Sequence, residues 1–161
     1  MSLPDSSSSI SFSGRTAGSR VALVLLLLLA LGSCQETAEV VEMRVGGHEF
    51  SVELAVTPEE RRVGLSNRAE LPERGGMLFV FPDTDYRSFW MKDTSLPLSI
   101  AFIGADGVIR EIYHMEPFSL ERVNSRDPAK YALEVRRGTF DELGITPGDR
   151  VQLPQAVTSL Q

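Results

Sequence analysis

Short apolar–polar alternations, each closed by a turn pair, constrain the fold of this chain more than any other feature. Val41, Met43 and Val45 alternate with Glu42 and Arg44, and Gly46-Gly47 follows as a two-residue hairpin turn. On the return, Phe50, Val52, Leu54 and Val56 alternate with Glu49, Ser51, Glu53 and Ala55. A period of two with one polar side describes a half-buried antiparallel pair. Residues 98–105 and 108–115 repeat the layout around Asp106-Gly107. Tyr131, Leu133 and Val135 alternate with Ala132, Glu134 and Arg136 as another strand. Residues 77–81 are apolar throughout, which predicts a central strand covered on both sides and broken at Pro82-Asp83. Pro147-Gly148 suits a type II turn before a closing strand over 150–153.

Helical signals are few. Thr57 can cap a short helix with Pro58 in its first turn and Glu60 completing a capping box, and Gly64 limits it. Residues 139–143 can make one more turn, ending at Gly144. The expected fold is mostly β, a compact antiparallel barrel or sandwich with one or two short helices.

The leader reads differently. Residues 21–31 form an unbroken apolar run behind Arg15 and Arg20, closed by Leu31-Gly32-Ser33-Cys34. The run is shorter than the roughly 20 residues a spanning helix needs. A charged start, a short apolar stretch and small residues before a cut site describe an export signal. With cysteine first after the cut, the segment resembles a bacterial lipoprotein signal, which implies removal of residues 1–33 and acylation of Cys34. The expected organisation is a signal over 1–33, an acylated cysteine with a short tether over 34–39, one domain over 40–153 and an irregular tail over 154–161. The expected location is extracytoplasmic, lipid-anchored to a bacterial membrane through Cys34. Acyl chains contribute about 0.8 kcal/mol per buried methylene. A tether of about five residues reaches at most roughly 18 Å, which keeps the domain near the bilayer.

Cys34 is the only cysteine, so the mature part holds no disulfide framework, CxxC pair or cysteine metal site. Without Arg15, Arg20 and Asp5 of the leader, the chain's 16 basic and 22 acidic side chains become 14 and 21, a net of −7. Such a domain repels phosphate backbones, which argues against nucleic acid as a partner.

The segment 75–81, Gly-Gly-Met-Leu-Phe-Val-Phe, is followed by Phe89-Trp90-Met91-Lys92-Asp93-Thr94 and Pro97-Leu98. Together with Arg62, Gly64-Leu65, the 131–138 stretch, Gly144 and Gly148-Asp149, these residues resemble the bacterial and archaeal family named domain of unknown function 192. The resemblance spans roughly residues 40–153 and implies a compact, mostly β domain with no established activity. Two positions depart from the family pattern. Asp93 stands where asparagine is usual, and Ser99 where aspartate is usual.

If residues 89–94 are extended, Phe89, Met91 and Asp93 face one way and Trp90, Lys92 and Thr94 the other. With Phe89 and Met91 in the core, the sole tryptophan is exposed beside a lysine and a threonine, a stacking platform with a cation. With Trp90 inside, Lys92 is drawn in and needs a carboxylate. A plainer arrangement leaves Trp90 partly buried at a sheet edge under the Lys92 stem. Trp90, Lys92 and Thr94 are therefore the candidate ligand-binding residues.

Other constellations are thin. His48, His114 and Glu116 lack metal-ligand spacing, so no metal or cofactor is expected. Serines near the histidines lack a nucleophile elbow. Asp83 and Asp85 bracket Thr84 as turn residues do. The Arg61-Arg62 and Arg136-Arg137 pairs suit surface ion pairs. The expected function is a non-catalytic envelope module for a small ligand or a protein partner. The alternative is a hydrolase or lyase of envelope polymers that uses a desolvated Lys92. No catalytic residue is identified.

Overall fold

Strand β1 (Val40–Val45) pairs antiparallel with β2 (His48–Ala55) across Gly46-Gly47, with Val45 opposite His48. Helix α1 (Pro58–Val63) follows directly, in the computed structural model that describes residues 39–159. Its capping box is complete. The Thr57 hydroxyl accepts from the Glu60 backbone N–H, and the Glu60 carboxylate accepts from the Thr57 backbone N–H at 2.7 Å. The expected leader, Cys34 and most of its tether lie outside the described residues.

The remaining strands are β3 (Gly75–Asp85), β4 (Ser88–Phe89), β5 (Leu98–Ile103), β6 (Ile109–Met115), β7 (Val123–Asn124), β8 (Ala129–Arg136) and β9 (Val151–Gln152). Seven form one sheet in the order β6-β5-β8-β3-β2-β1-β9, and β4 with β7 form a small second sheet. The long sheet curls into a half-barrel. A bridge between Val108 and Arg150 ties the β5–β6 hairpin to the segment entering β9. Helix α2 (Thr139–Glu142) and helix α3 (Gln155–Thr158) complete the fold.

Three features depart from the expected architecture. Strands β2 and β3 run parallel, because α1 and the following loop carry the chain back before β3 starts. Strand β3 continues past Pro82 to Asp85, with its register against β8 shifting between Val80 and Asp85. The stretch expected to be an irregular tail contains α3, which buries Val157, so the short helices number three among the described residues.

Strands β3, β5 and β8 are covered on both faces because each face meets a separate core. One core gathers Phe50, Leu78, Ile103, Tyr131, Leu133, Val135 and Phe140. The other gathers Leu65, Met77, Phe79, Met91, Leu98, Ile100, Phe102 and Met115. The second core lies under the loop after α1 and the segment that carries β4. At about 25 cal/mol per Å² of apolar area removed from water, each fully buried Leu, Ile or Phe contributes roughly 1.5–3 kcal/mol.

Candidate functional site

The second core is incomplete at one end, where a cavity of about 640 Å³ opens to the surface. Strands β3, β5 and β8 supply its base through Phe79, Phe81, Leu98 and Glu134. Residues 61–67 form one wall and residues 86–94 the other. Gly64 allows the first wall to pass close over the base: its φ is +52°, and a Cβ there would lie 3.3 Å from Phe79 Cζ. The second wall is held by backbone bonds to distant segments. Met91 N–H donates to Ser119 O at 3.0 Å, Ser125 N–H to Arg87 O at 2.9 Å, and Asn67 N–H to Asp93 O at 2.7 Å. Such cross-links suit a preformed site.

The three expected binding residues all line this cavity, although the segment is not extended to Thr94. Strand β4 ends at Phe89, and Asp93 adopts a left-handed φ of 56°. Asparagine and aspartate tolerate that conformation better than most residues with a Cβ. Met91 is buried, Phe89 half-buried, and Trp90 is 43% exposed. This is the stacking-platform arrangement. Lys92 is exposed, with its Nζ 5.7 Å from the Trp90 ring centre, and the Arg122 guanidinium lies 4.7 Å from the same ring. Thr94 is buried, and its hydroxyl donates to Lys92 O at 3.2 Å. Lys92 forms no ion pair among the described residues, so the desolvated, carboxylate-paired lysine of the hydrolase or lyase reading is not the geometry found.

Two lining residues went unrecognised in the sequence. Glu134 is 4% exposed and makes no hydrogen bond or ion pair among the described residues. It sits in a lateral row that crosses five strands on one face: Glu53, Met77, Glu134, Ile100, Tyr113. Its immediate neighbours in that row are Met77 and Ile100, both apolar. Burial therefore pushes its carboxyl up to about 8, with no nearby charge to offset the cost of ionisation. The acid is neutral at neutral pH and is a hydrogen-bond donor.

Arg61 is the second. Its sequence neighbour Arg62 pairs with Glu59, and Arg136 and Arg137 pair with Glu142 and Glu116, as surface arginines do. Arg61 has no carboxylate partner among the described residues. Its Nη1 donates to Val56 O and, at 2.8 Å, to Val80 O. Burial and the neighbouring Arg87 charge lower its affinity for the proton, which Glu60 and Asp83 partly offset. The Arg61 and Arg87 guanidinium carbons lie 5.2 and 4.0 Å from the Phe81 ring centre. Arg87 is neutralised by Asp83 at 2.7 Å.

Elsewhere, Ser99 Oγ lies 2.9 Å from His114 Nδ1, and His114 Nε2 lies 3.4 Å from Asp141. This chain of groups resembles a hydrolytic triad only in composition. Ser99 is fully buried and also accepts from the Gly138 backbone N–H at 3.2 Å, so no substrate carbonyl can reach it. Its role is to tie β5 and β6 to the turn before α2. Asp83 and Asp85 serve the turn after β3: Asp83 pairs with Arg87, and Asp85 accepts from the Tyr86 N–H at 2.8 Å. Glu116 pairs with Arg137, and no group of three or more metal-ligating side chains occurs among the described residues. No helix among them is long and apolar enough to cross a membrane.

Comparison with known proteins gives one family. The model of DUF192, described as Uncharacterized ACR, matches residues 41–153. A solved structure from Sinorhizobium meliloti 1021, provisionally described as a transcription regulator, is 40% identical. The match covers 72% of this chain and 95% of that one, with a TM-score of 0.70. A protein of unknown function from Novosphingobium aromaticivorans DSM 12444 is 34% identical, with 74% and 89% covered and a TM-score of 0.71. No curated protein matches.

Proposed function

The chain belongs to the DUF192 family, and we propose that this member is a membrane-anchored, extracytoplasmic module that binds a small ligand in the cavity beneath Trp90. One observation carries the binding reading. A carboxylic acid that bonds no other group among the described residues faces the base of an open cavity, beside Phe79 and Phe81. Burying an unpaired acid costs stability, and such groups concentrate at sites of function. A cavity of about 640 Å³ is also within the range of small-molecule sites. Trp90 borders the mouth with the Arg122 and Lys92 cations beside its ring, and Lys92 has no carboxylate partner among the described residues.

Anchoring rests on the leader and Cys34. The transcription-regulator description of the Sinorhizobium protein is not extended to this chain, whose mature part has a net charge of −7 and repels a phosphate backbone.

Trp90 is the only tryptophan and so reports binding directly. A small-molecule screen followed by Trp90 emission should find a saturable change that Phe81→Ala removes. A flat response from folded protein across the screen would refute the binding reading. For anchoring, Cys34→Ala should abolish acylation and release the chain from membranes. If the variant stays in the detergent phase while the wild type carries no acyl mass, anchoring through Cys34 is wrong.

A further inference from the structure

The cations and aromatic rings of the cavity indicate the charge of what it takes. An ammonium ligand needs free aromatic faces or an ionised carboxylate. Phe81 already carries Arg61 and Arg87, and Trp90 already carries Arg122 and Lys92. These side chains occupy the places an ammonium would use, and their charge repels one. Among the lining carboxylates, Glu134 is neutral at neutral pH and Asp93 is exposed at the rim. Arg61, by contrast, is half-buried with Nε and Nη2 unmatched among the described residues.

We infer that the cavity takes a small organic anion with an apolar body, its negative charge held at Arg61 and one of its oxygens accepting a hydrogen bond from the Glu134 carboxyl group. This deepens the binding reading above and rests on it. The two groups lie toward opposite ends of the cavity base. Glu134 is level with Met77 on β3, while Arg61 bonds the carbonyl of Val80. Three residues of strand separate those levels by about 10 Å. Phe79, Phe89, Met91 and Leu98 line the cavity and suit the apolar body.

Binding should then weaken as Glu134 ionises, since a carboxylate can neither donate nor tolerate a nearby anion. The groups facing Glu134 do not mask this effect. From β3 and β5 it meets Met77 and Ile100. The next titratable groups in its row are Glu53 on β2, paired with Arg68, and Tyr113 on β6, bonded to Glu111. Each is two strands away, roughly 10 Å. From the covering segments the buried lining residues are Leu65, Met91 and Thr94, and the charged ones are the half-buried Arg61 and Arg87 and the exposed Arg62, Lys92 and Asp93.

Three probes share one apolar body with a non-titrating ether oxygen at its far end and differ in charge: 3-(4-methoxyphenyl)propionate, 3-(4-methoxyphenyl)propanol and 3-(4-methoxyphenyl)propylamine. Each is titrated calorimetrically into the full chain between pH 6 and pH 9.5. The anion should bind at least tenfold more tightly than the alcohol at pH 6.5, and the amine should bind most weakly. Affinity for the anion should fall roughly tenfold per unit once Glu134 ionises. Glu134→Gln, which keeps a donor, should bind the anion with a flat pH profile. Arg61→Met should lose at least tenfold, and Arg61→Lys should retain most of the affinity. Tightest binding of the amine, or anion binding indifferent to Arg61, would overturn the ligand class and leave the binding site standing. Failure of all three probes with folded protein would overturn both.

Discussion

Replacing Glu134 by Gln should stabilise the domain progressively as pH rises. The wild-type carboxyl moves from its ordinary value of 4.5 to about 8 on folding, entirely through burial. A raised carboxyl binds a proton in the folded state that the unfolded chain has released, so stability falls with pH across that interval. The contribution is fully present below pH 4.5 and lost as pH rises through the folded value. At 1.36 kcal/mol per unit the loss is on the order of 3 kcal/mol at pH 7 and 5 kcal/mol at pH 9. That is a large share of the roughly 5–15 kcal/mol that stabilises a typical domain. Glutamine has nearly the same shape and does not titrate. Urea unfolding of both proteins at pH 4.5, 7 and 9 isolates the effect, because every other titrating group cancels in the difference. Glu59, Glu60, Asp83 and Glu111 are shifted downward, so their stabilisation is lost only as pH falls. The gap between variant and wild type should widen steadily with pH. A gap that stays constant between pH 4.5 and pH 9 would refute the claim that Glu134 is buried without a partner.

Trp90→Ala should cost less than the roughly 3–5 kcal/mol of a core aromatic, because the ring is 43% exposed. Lys92→Met should change stability by no more than about 1 kcal/mol; equilibrium unfolding checks both, and a larger loss for Lys92→Met would reveal a buried partner. Thr57→Ala removes one half of the α1 capping box and should cost about 0.5–2 kcal/mol, read from the shift in urea midpoint. EDTA and reductant should leave the melting temperature unchanged; a clear drop with EDTA would restore His48, His114 and Glu116 as metal ligands.

The local rules of the chain determined most of the secondary structure. Gly46-Gly47 closes the first hairpin with both glycines at positive φ, and the second closes through the longer loop 104–108, in which Gly107 takes the positive φ. Thr57, Pro58 and Glu60 start α1 through contacts within one helical turn. The continuous apolar run at 77–80 marks a strand with two covered faces. Each signal is complete within a few residues, so tertiary context had nothing to override. The family resemblance in the Phe89-to-Thr94 stretch pointed to the segment that walls the cavity, though the backbone turns after Phe89 instead of staying extended.

The tertiary structure alone decided which polar residues matter. A period of two places Glu134 on a face with Ala132 and Arg136, and Arg136 on that same face is exposed. Whether Glu134 is wet depends on how far the distant segments 61–67 and 86–94 reach across the sheet. Arg61 and Arg62 are equivalent as a dipeptide. The short helix carrying them turns Arg62 toward Glu59 and Arg61 toward Phe81 and the Val80 carbonyl. The parallel β2–β3 pairing follows from the crossover through α1 and the loop after it, which brings Leu65 over the second core. Burial and partnership are properties of segments far apart in the chain, and for that reason alternation and turn chemistry did not contain them.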